Sequence, residues 1–398
     1  MGKGVAITGM GIISSIGNTV EENFQSLRQK TPGISKIEGI STIHKDHIKV
    51  GEIKISNENL SDLLNLPSSN NYSRTALLAE VAAKEALKNA GITNVNSYKT
   101  GLISATSVGG MDLTEKFFYS QFEEEENRKY IESHSAGDSS TKIANSLGIT
   151  GFVSTISTAC SSAANSIMLG ARMIKAGKLD RVIVGGADCL SKFTINGFKT
   201  LMILSETNCK PFDANRTGLN LGEAAAFLVL ESDACVKADN KNVLGYVSGY
   251  ANANDAFHQT ASSVDGEGAT LAMKKALKVA GLSSVDIDYI NAHGTATENN
   301  DASESAAIRR VFGDHLPKVS STKAYTGHTL AAAAAIEAVY SILALQNNLI
   351  FPNLNFETPI KETNIIPETD LLQKDLQHVL SNSFGFGGNC STLIFSKE

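Results

Sequence analysis

The sequence predicts an α/β fold built twice over. Three observations carry that expectation. Short β-rich apolar runs alternate with helical stretches along the chain. A segment recurs, since Ala90-Gly91-Ile92 and Ala280-Gly281-Leu282 each close an amphipathic helix and lead toward a strand, 190 residues apart. The length of 398 residues also exceeds the roughly 250–300 at which a single hydrophobic core stops growing.

The first series of expected strands covers residues 5–8, 101–105, 152–156, 181–185 and 225–230. The second covers 244–248, 287–291, 318–321, 378–381 and 392–395. Expected helices at 72–89, 139–147 and 161–175 belong to the first series, and those at 266–279, 301–311 and 329–346 to the second. Asp180-Arg-Val-Ile-Val-Gly185 corresponds to Leu376-Gln-His-Val-Leu-Ser381, and the helix after Cys160 to the helix after His328. The halves are expected at 1–241 and 242–398. Such a duplication buries one central helix from each half between two sheets.

Two stretches stand apart. Residues 329–345 are Ala-rich and nearly uncharged but carry Glu337. A membrane span needs about 20 apolar residues, so a helix buried in a soluble protein is expected, with no membrane contact. Residues 109–138 interrupt the alternation with Glu123-Glu-Glu-Glu126 and then Arg128-Lys129. A charge run of this kind reads as a solvated face.

Apolar residues make up 42% of the chain and charged residues 19%, an ordinary balance for a soluble enzyme. The net charge of −6 argues against non-specific nucleic-acid binding. Five cysteines without paired spacing read as reduced thiols, and the N-terminus shows no secretory pattern, so a cytoplasmic protein is expected.

Cys160 sits in Ile156-Ser-Thr-Ala-Cys160-Ser-Ser-Ala-Ala164, where an apolar strand meets a small-residue helix. A helix N-terminus carries partial positive charge and unpaired N–H groups, which favour a thiolate. Taken alone, a cysteine here is as readily an inert packing residue. His293 follows an apolar strand in Asn291-Ala-His293-Gly-Thr295, where α/β proteins place ligand sites. His328 opens the Ala-rich helix, in Ser321-Thr-Lys323-Ala-Tyr-Thr-Gly-His328. Either histidine alone would read as structural, and Lys323 alone as a surface lysine. Glu337 needs a partner if its helix is buried. Asp301 and Glu304, three apart, share one face of a helix start. Asn382-Ser-Phe384-Gly-Phe386-Gly-Gly388 is a Gly-rich loop after a strand, with no lysine or following helix to make it a nucleotide cradle. No cysteine and histidine spacing suggests a zinc site.

Together these motifs resemble the β-ketoacyl-[acyl-carrier-protein] synthase family, the condensing enzymes of fatty-acid and type II polyketide synthesis. The resemblance covers nearly the whole chain and implies a thiolase-like fold in five layers, α-β-α-β-α. It implies an acyltransferase that loads an acyl chain on Cys160 and condenses it with malonyl-carrier, using His293 and His328 and no cofactor. Cys160 and Phe386 would supply oxyanion-hole N–H groups, with Phe386 on a mobile gate. Lys323 would be tied to Asp301, Glu304 and Glu337. Thr295 and Thr297 match pantetheine-contacting positions, and Val108 and Phe198 match acyl-pocket positions. A structural monovalent cation beside Asn291, Glu337, Ser381 and Asn382 is also implied, with no other metal. The implied partner is a phosphopantetheinylated acyl carrier protein, which is acidic, so Arg128, Lys129 and Lys199 are candidates for its docking. A homodimer is implied, and a heterodimer with a ketosynthase-like subunit is compatible.

The chain departs from the family pattern at two places. Asn389-Cys390 follows the gate where relatives usually carry Thr-Asn, and Glu298 stands where they usually carry proline. Two rival readings remain: a thiolase, with Cys390 as second reactive thiol, and a partner subunit that sets chain length with little activity of its own.

Overall fold

A computed structural model describes residues 4–397. Its large sheet has ten strands, each matching one expected run. These are β1 (Val5–Ser14), β2 (Thr100–Ala105), β3 (Val153–Ile156), β4 (Arg181–Asp188), β5 (Ala224–Glu231), β6 (Gly245–Asn254), β7 (Tyr289–Asn291), β8 (Lys318–Ser320), β9 (His378–Gly385) and β10 (Asn389–Ser396). Six helices fill the expected places: α1 (Arg74–Asn89), α2 (Ala136–Leu147), α3 (Ser162–Lys175), α4 (Glu267–Ala280), α5 (Glu298–Phe312) and α6 (Ala333–Asn347).

The spatial order is β8-β7-β9-β10-β6-β1-β5-β4-β2-β3. Counted outward from the middle, each half places its first, fifth, fourth, second and third strands in that sequence. The first and fourth strands flank the fifth antiparallel, while the fourth, second and third run parallel, in both halves alike. Topology therefore repeats as completely as the sequence pattern does.

The two expected sheets differ from the observed one in a single respect. β1 and β6 pair antiparallel through Val5↔Val247, Ala6↔Tyr246 and Ile7↔Gly245, so the ladder is continuous. Both strands would otherwise be open edges beside each other, and pairing satisfies their backbone groups.

Side-chain alternation divides the ladder into layers. Along β5, Ala226, Leu228 and Leu230 face a central core, while Ala225, Phe227 and Val229 face a second. Along β10, Leu393 and Phe395 reach the same central core, and Ile394 faces a third. The central core holds α3 and α6 packed on each other. α1 and α2 cover the outer face of the first half, and α4 and α5 that of the second. The layers thus run helix, sheet, helix, sheet, helix.

Glycine lengthens β1 beyond the expected four residues. A Cβ at Gly9 would lie 2.4 Å from the Ala86 carbonyl oxygen, and one at Gly11 2.2 Å from that of Ala82. These glycines let α1 lie directly on the strand. The 18-residue stretch Leu330–Asn347, α6 with the helical turn before it, is long and apolar enough to cross a membrane by length and composition, yet every residue from Ala333 to Leu345 is buried inside the molecule. Residues 109–135 form short helical turns, and Glu123, Glu124, Glu125 and Glu126 are exposed on them.

One buried ion pair joins three neighbouring strands. Arg181 on β4 meets Glu231 on β5 at 2.7 Å, and Thr8 on β1 donates to the same carboxylate at 2.6 Å. Arg181 is 1% exposed and Glu231 0%. Arg181→Met would leave that carboxylate uncompensated. It is expected to lower unfolding free energy by about 3–5 kcal/mol, measured by urea denaturation.

Candidate active site

The functional motifs all lie at C-terminal ends of parallel strands, where an open α/β sheet presents its loops. Cys160 joins β3 to α3. His293 follows β7. His328 joins β8 to α6, the equivalent connection in the second half. The hairpin between β9 and β10 carries Phe386, Gly387 and Gly388.

The turn before Cys160 is held off the usual backbone conformation. Ala159 has φ +52°, and Ser162 fixes the turn by accepting the Thr158 N–H at 2.8 Å and donating to the Ala159 carbonyl. The gate backbone is seated on this turn. A Cβ at Gly385 would stand 2.7 Å from the Thr158 oxygen and 3.3 Å from the Cys160 nitrogen, so only glycine fits. The backbone N–H groups of Cys160 and Phe386 lie near enough to the Cys160 sulfur to favour its ionised form.

Burial pushes the Cys160 thiol up to about 12, and the Asp188 carboxylate adds to that. Lys323 and the two N–H groups oppose it. Burial thus works against the thiolate that the helix N-terminus favours. The helix N-terminus offers partial charges, whereas desolvation acts on the whole ionic charge.

His293 and His328 stand edge to face with ring centroids 5.3 Å apart. Both line one cavity of about 330 Å³ with Cys160. Their Nδ1 atoms are buried without a partner among the described residues, which leaves Nε2 as the nitrogen each ring presents to the cavity. Burial, with the Lys323 charge beside it, holds both imidazoles well below the ordinary histidine range.

Lys323 is 2% exposed and pairs with Glu337 of α6, whose second oxygen faces the Ser383 hydroxyl at 3.5 Å. Burial raises the Glu337 carboxyl to about 7. Asp301 and Glu304 do not join this pair, contrary to expectation. Glu304 accepts the backbone N–H groups of His293 and Gly294 at 2.9 and 2.8 Å, and Asp301 accepts those of Phe212 and Ala296 at 2.7 and 3.1 Å. The loop after β7 needs them, because Gly294 and Ala296 have φ +38° and +63° and leave N–H groups pointing into protein.

Thr295 and Thr297 line the cavity, their hydroxyls 2.9 Å apart. Phe198 lines it too, with the Phe386 ring stacked on it at 5.9 Å. Val108 does not line the cavity. Its N–H is turned to Asp188, and the stacked aromatic pair forms the wall instead. Asn291 and Ser381 face each other on β7 and β9, and neither polar atom of the buried Asn291 amide has a partner among the described residues. That orphaned amide fits the implied monovalent cation, although Lys323 already engages Glu337 and Glu304 engages Asn382.

Arg128, Lys129 and Lys199 are not among the cavity's lining residues. Arg128 pairs with Glu125 and Lys199 with Glu206, while Lys129 donates to the Ser69 carbonyl. Arg216 is at the mouth, spending its guanidinium on the carbonyls of Asp213, Thr297 and Glu298. Glu298 lines the mouth as well.

The Asn389 departure has a structural consequence. Its Oδ1 accepts from Ser161 at 2.7 Å, Asn165 at 3.0 Å and Asn252 at 2.7 Å. This knot fastens the gate's base to the first turn of α3. Cys390 lines the same cavity, but burial, Asp255 and Glu304 all push its thiol up and nothing opposes them. Asp188, deep beside Cys160, escaped the sequence reading, although a carboxylate ending the apolar run Val182-Ile-Val-Gly-Gly-Ala187 was a signal of the kind that singled out Glu337.

Comparison with known proteins agrees along the whole chain. Residues 3–234 match the family model for the β-ketoacyl synthase N-terminal domain, and residues 244–357 that for its C-terminal domain. The 3-oxoacyl-[acyl-carrier-protein] synthase 2 of Staphylococcus aureus strain N315 is 34% identical over 411 aligned positions, covering 99% of this chain and 98% of that protein. The ishigamide ketosynthase/chain length factor superposes with a TM-score of 0.93 at 29% identity, covering 100% of this chain and 99% of the other. The ketosynthase ApeO of Xenorhabdus doucetiae, solved in complex with its chain length factor ApeC, superposes with a TM-score of 0.87 at 32% identity, covering 100% and 98%.

Both cavity imidazoles are expected to stay neutral between about pH 8 and about pH 6, measured by NMR of the ring nitrogens. The sign for stability follows. Below about pH 6.5 the unfolded chain binds protons that the folded rings refuse, so acid disfavours folding. A ring titrating near 6.5 would contradict the burial argument.

Proposed function

The chain belongs to the β-ketoacyl synthase family, and from that premise we propose roles for its residues in a decarboxylative condensation. The enzyme is an acyltransferase of the 3-oxoacyl-[acyl-carrier-protein] synthase type. The observation that carries the assignment is one cavity lined by the Cys160 thiol, by Phe386 and by two imidazoles that burial holds neutral.

Cys160 attacks an acyl-carrier thioester. The new C–S bond forms as the carrier's C–S bond breaks, and the thiol proton ends on the departing pantetheine sulfur. The N–H groups of Cys160 and Phe386 hold the oxyanion of the tetrahedral intermediate. Malonyl-carrier then loses CO₂, and its thioester oxygen takes up negative charge. His293 and His328 donate Nε2–H to that oxygen. The enolate carbon attacks the acyl carbon, the bond to the Cys160 sulfur breaks, and the departing thiolate takes from solvent the one proton that the condensation consumes. Burial, aided by the Lys323 charge, keeps both rings neutral, and Lys323 does so without touching substrate. Asn291 would hold a monovalent cation for structural purposes only.

The partner in this reading is a phosphopantetheinylated acyl carrier protein, with Thr295 and Thr297 bonding the pantetheine amides. The open sheet edge at β3, where Val153 is 37% exposed, is the place for a second chain, either a copy of itself or a ketosynthase-like subunit. Five free thiols, all buried, fit the reducing cytoplasm.

His293→Ala and His328→Ala are each expected to slow malonyl-carrier decarboxylation about 10²-fold or more, read as CO₂ release. Unchanged rates in both would remove the assigned role. Iodoacetamide should modify Cys160 before the other four cysteines, followed by peptide mass spectrometry. Preferential modification of Cys390 would favour a thiolase.

A further inference from the structure

We propose that Asp188 is a positioning residue for the condensation, tethering the His328 segment of the second half to the nucleophile side of the first. The inference rests on the reaction assigned above. Asp188 ends β4 and is fully buried. Its carboxylate gathers donors from two other segments. In the loop after β2 it accepts from the Thr106 and Ser107 hydroxyls, from the Ser107 N–H at 3.1 Å and from the Val108 N–H at 3.4 Å. Beyond His328 it accepts the Ala331 N–H at 2.9 Å.

The last contact matters because of how His328 is held. An imidazole is usually aimed by a hydrogen bond to its second nitrogen. Here that nitrogen has no partner among the described residues. The backbone on either side must therefore set the ring's direction. On the near side, the His328 N–H donates to the Asn220 carbonyl at 2.7 Å, and its own carbonyl accepts from Gly222 at 2.9 Å. On the far side, Leu330 has φ +53°, a left-handed conformation that a leucine adopts only under constraint. The Asp188 bond to the next N–H supplies that constraint. The same carboxylate holds the loop after β2, so one buried group fastens that loop to the segment after His328.

The test compares the full-length enzyme with Asp188→Asn. The amide keeps the shape, loses the charge and turns N–H groups toward existing donors. Malonyl-carrier decarboxylation should lose about tenfold or more in kcat, with KM unchanged because Asp188 touches no substrate. The pH profile of Cys160 alkylation by iodoacetamide should move to lower pH, since a negative charge beside the sulfur is gone. A merely structural role would not move that profile. A wild-type kcat, or a profile that stays in place, would overturn the proposal. If the Asn variant does not fold, Asp188→Glu keeps the charge but displaces the acceptor. Its alkylation profile should stay and its kcat fall, and a wild-type kcat would again overturn the tether. Alkylation needs no carrier. It therefore still reads Asp188 if the unmodified enzyme decarboxylates nothing, an outcome that would count against the condensing reaction itself.

Discussion

The Lys323–Glu337 ion pair is the constraint around which the rest of the site is arranged. Both groups lie in the dry centre of the molecule, where neither charge could persist alone. Its positive end is felt at three places. It pushes His293 and His328 away from protonation, and it draws the Cys160 thiol toward ionisation. The negative end belongs to α6, the helix that His328 introduces. The pair thus couples the electrostatics of the cavity to the packing of the central layer.

Duplication explains how nucleophile and imidazoles come to face each other. The β3–α3 connection delivers Cys160, and its counterpart between β8 and α6 delivers His328. Because α3 and α6 pack together in the middle layer, their leading turns converge. The β4–β5 and β9–β10 connections differ in kind. The first is a long excursion that supplies Phe198 and Arg216. The second is a tight hairpin whose Gly385 must lie against the nucleophile turn. A structural repeat thus brings different side chains to one cavity, a thiol from the first half and two imidazoles from the second.

Buried carboxylates do more of the positioning than charge pairing alone would suggest. Asp301 and Glu304 hold strained backbone after β7, and Asp188 reaches both the loop after β2 and the segment after His328. Each takes N–H groups that the unusual conformations leave unpaired. Asn389 does similar work with a neutral group, tying the gate to α3 through three donors.

The sequence by itself determined the ten strands, six main helices and internal repeat, because each rests on local periodicity and on glycines at helix ends. It also identified Cys160, His293, His328 and Lys323, since those residues sit in short contiguous motifs. Tertiary structure decided what periodicity cannot encode. The β1–β6 pairing that makes one ladder from two depends on strands 240 residues apart meeting at Val5 and Val247. That of the three expected carboxylates Glu337 is the one that reaches Lys323, that Asp188 stands near the sulfur, and that Val108 turns its N–H to Asp188 and does not line the cavity are facts of packing. So is the burial that works against ionisation of Cys160. A helix N-terminus is visible in the residues, but the desolvation that outweighs it exists only once both halves have closed over the thiol.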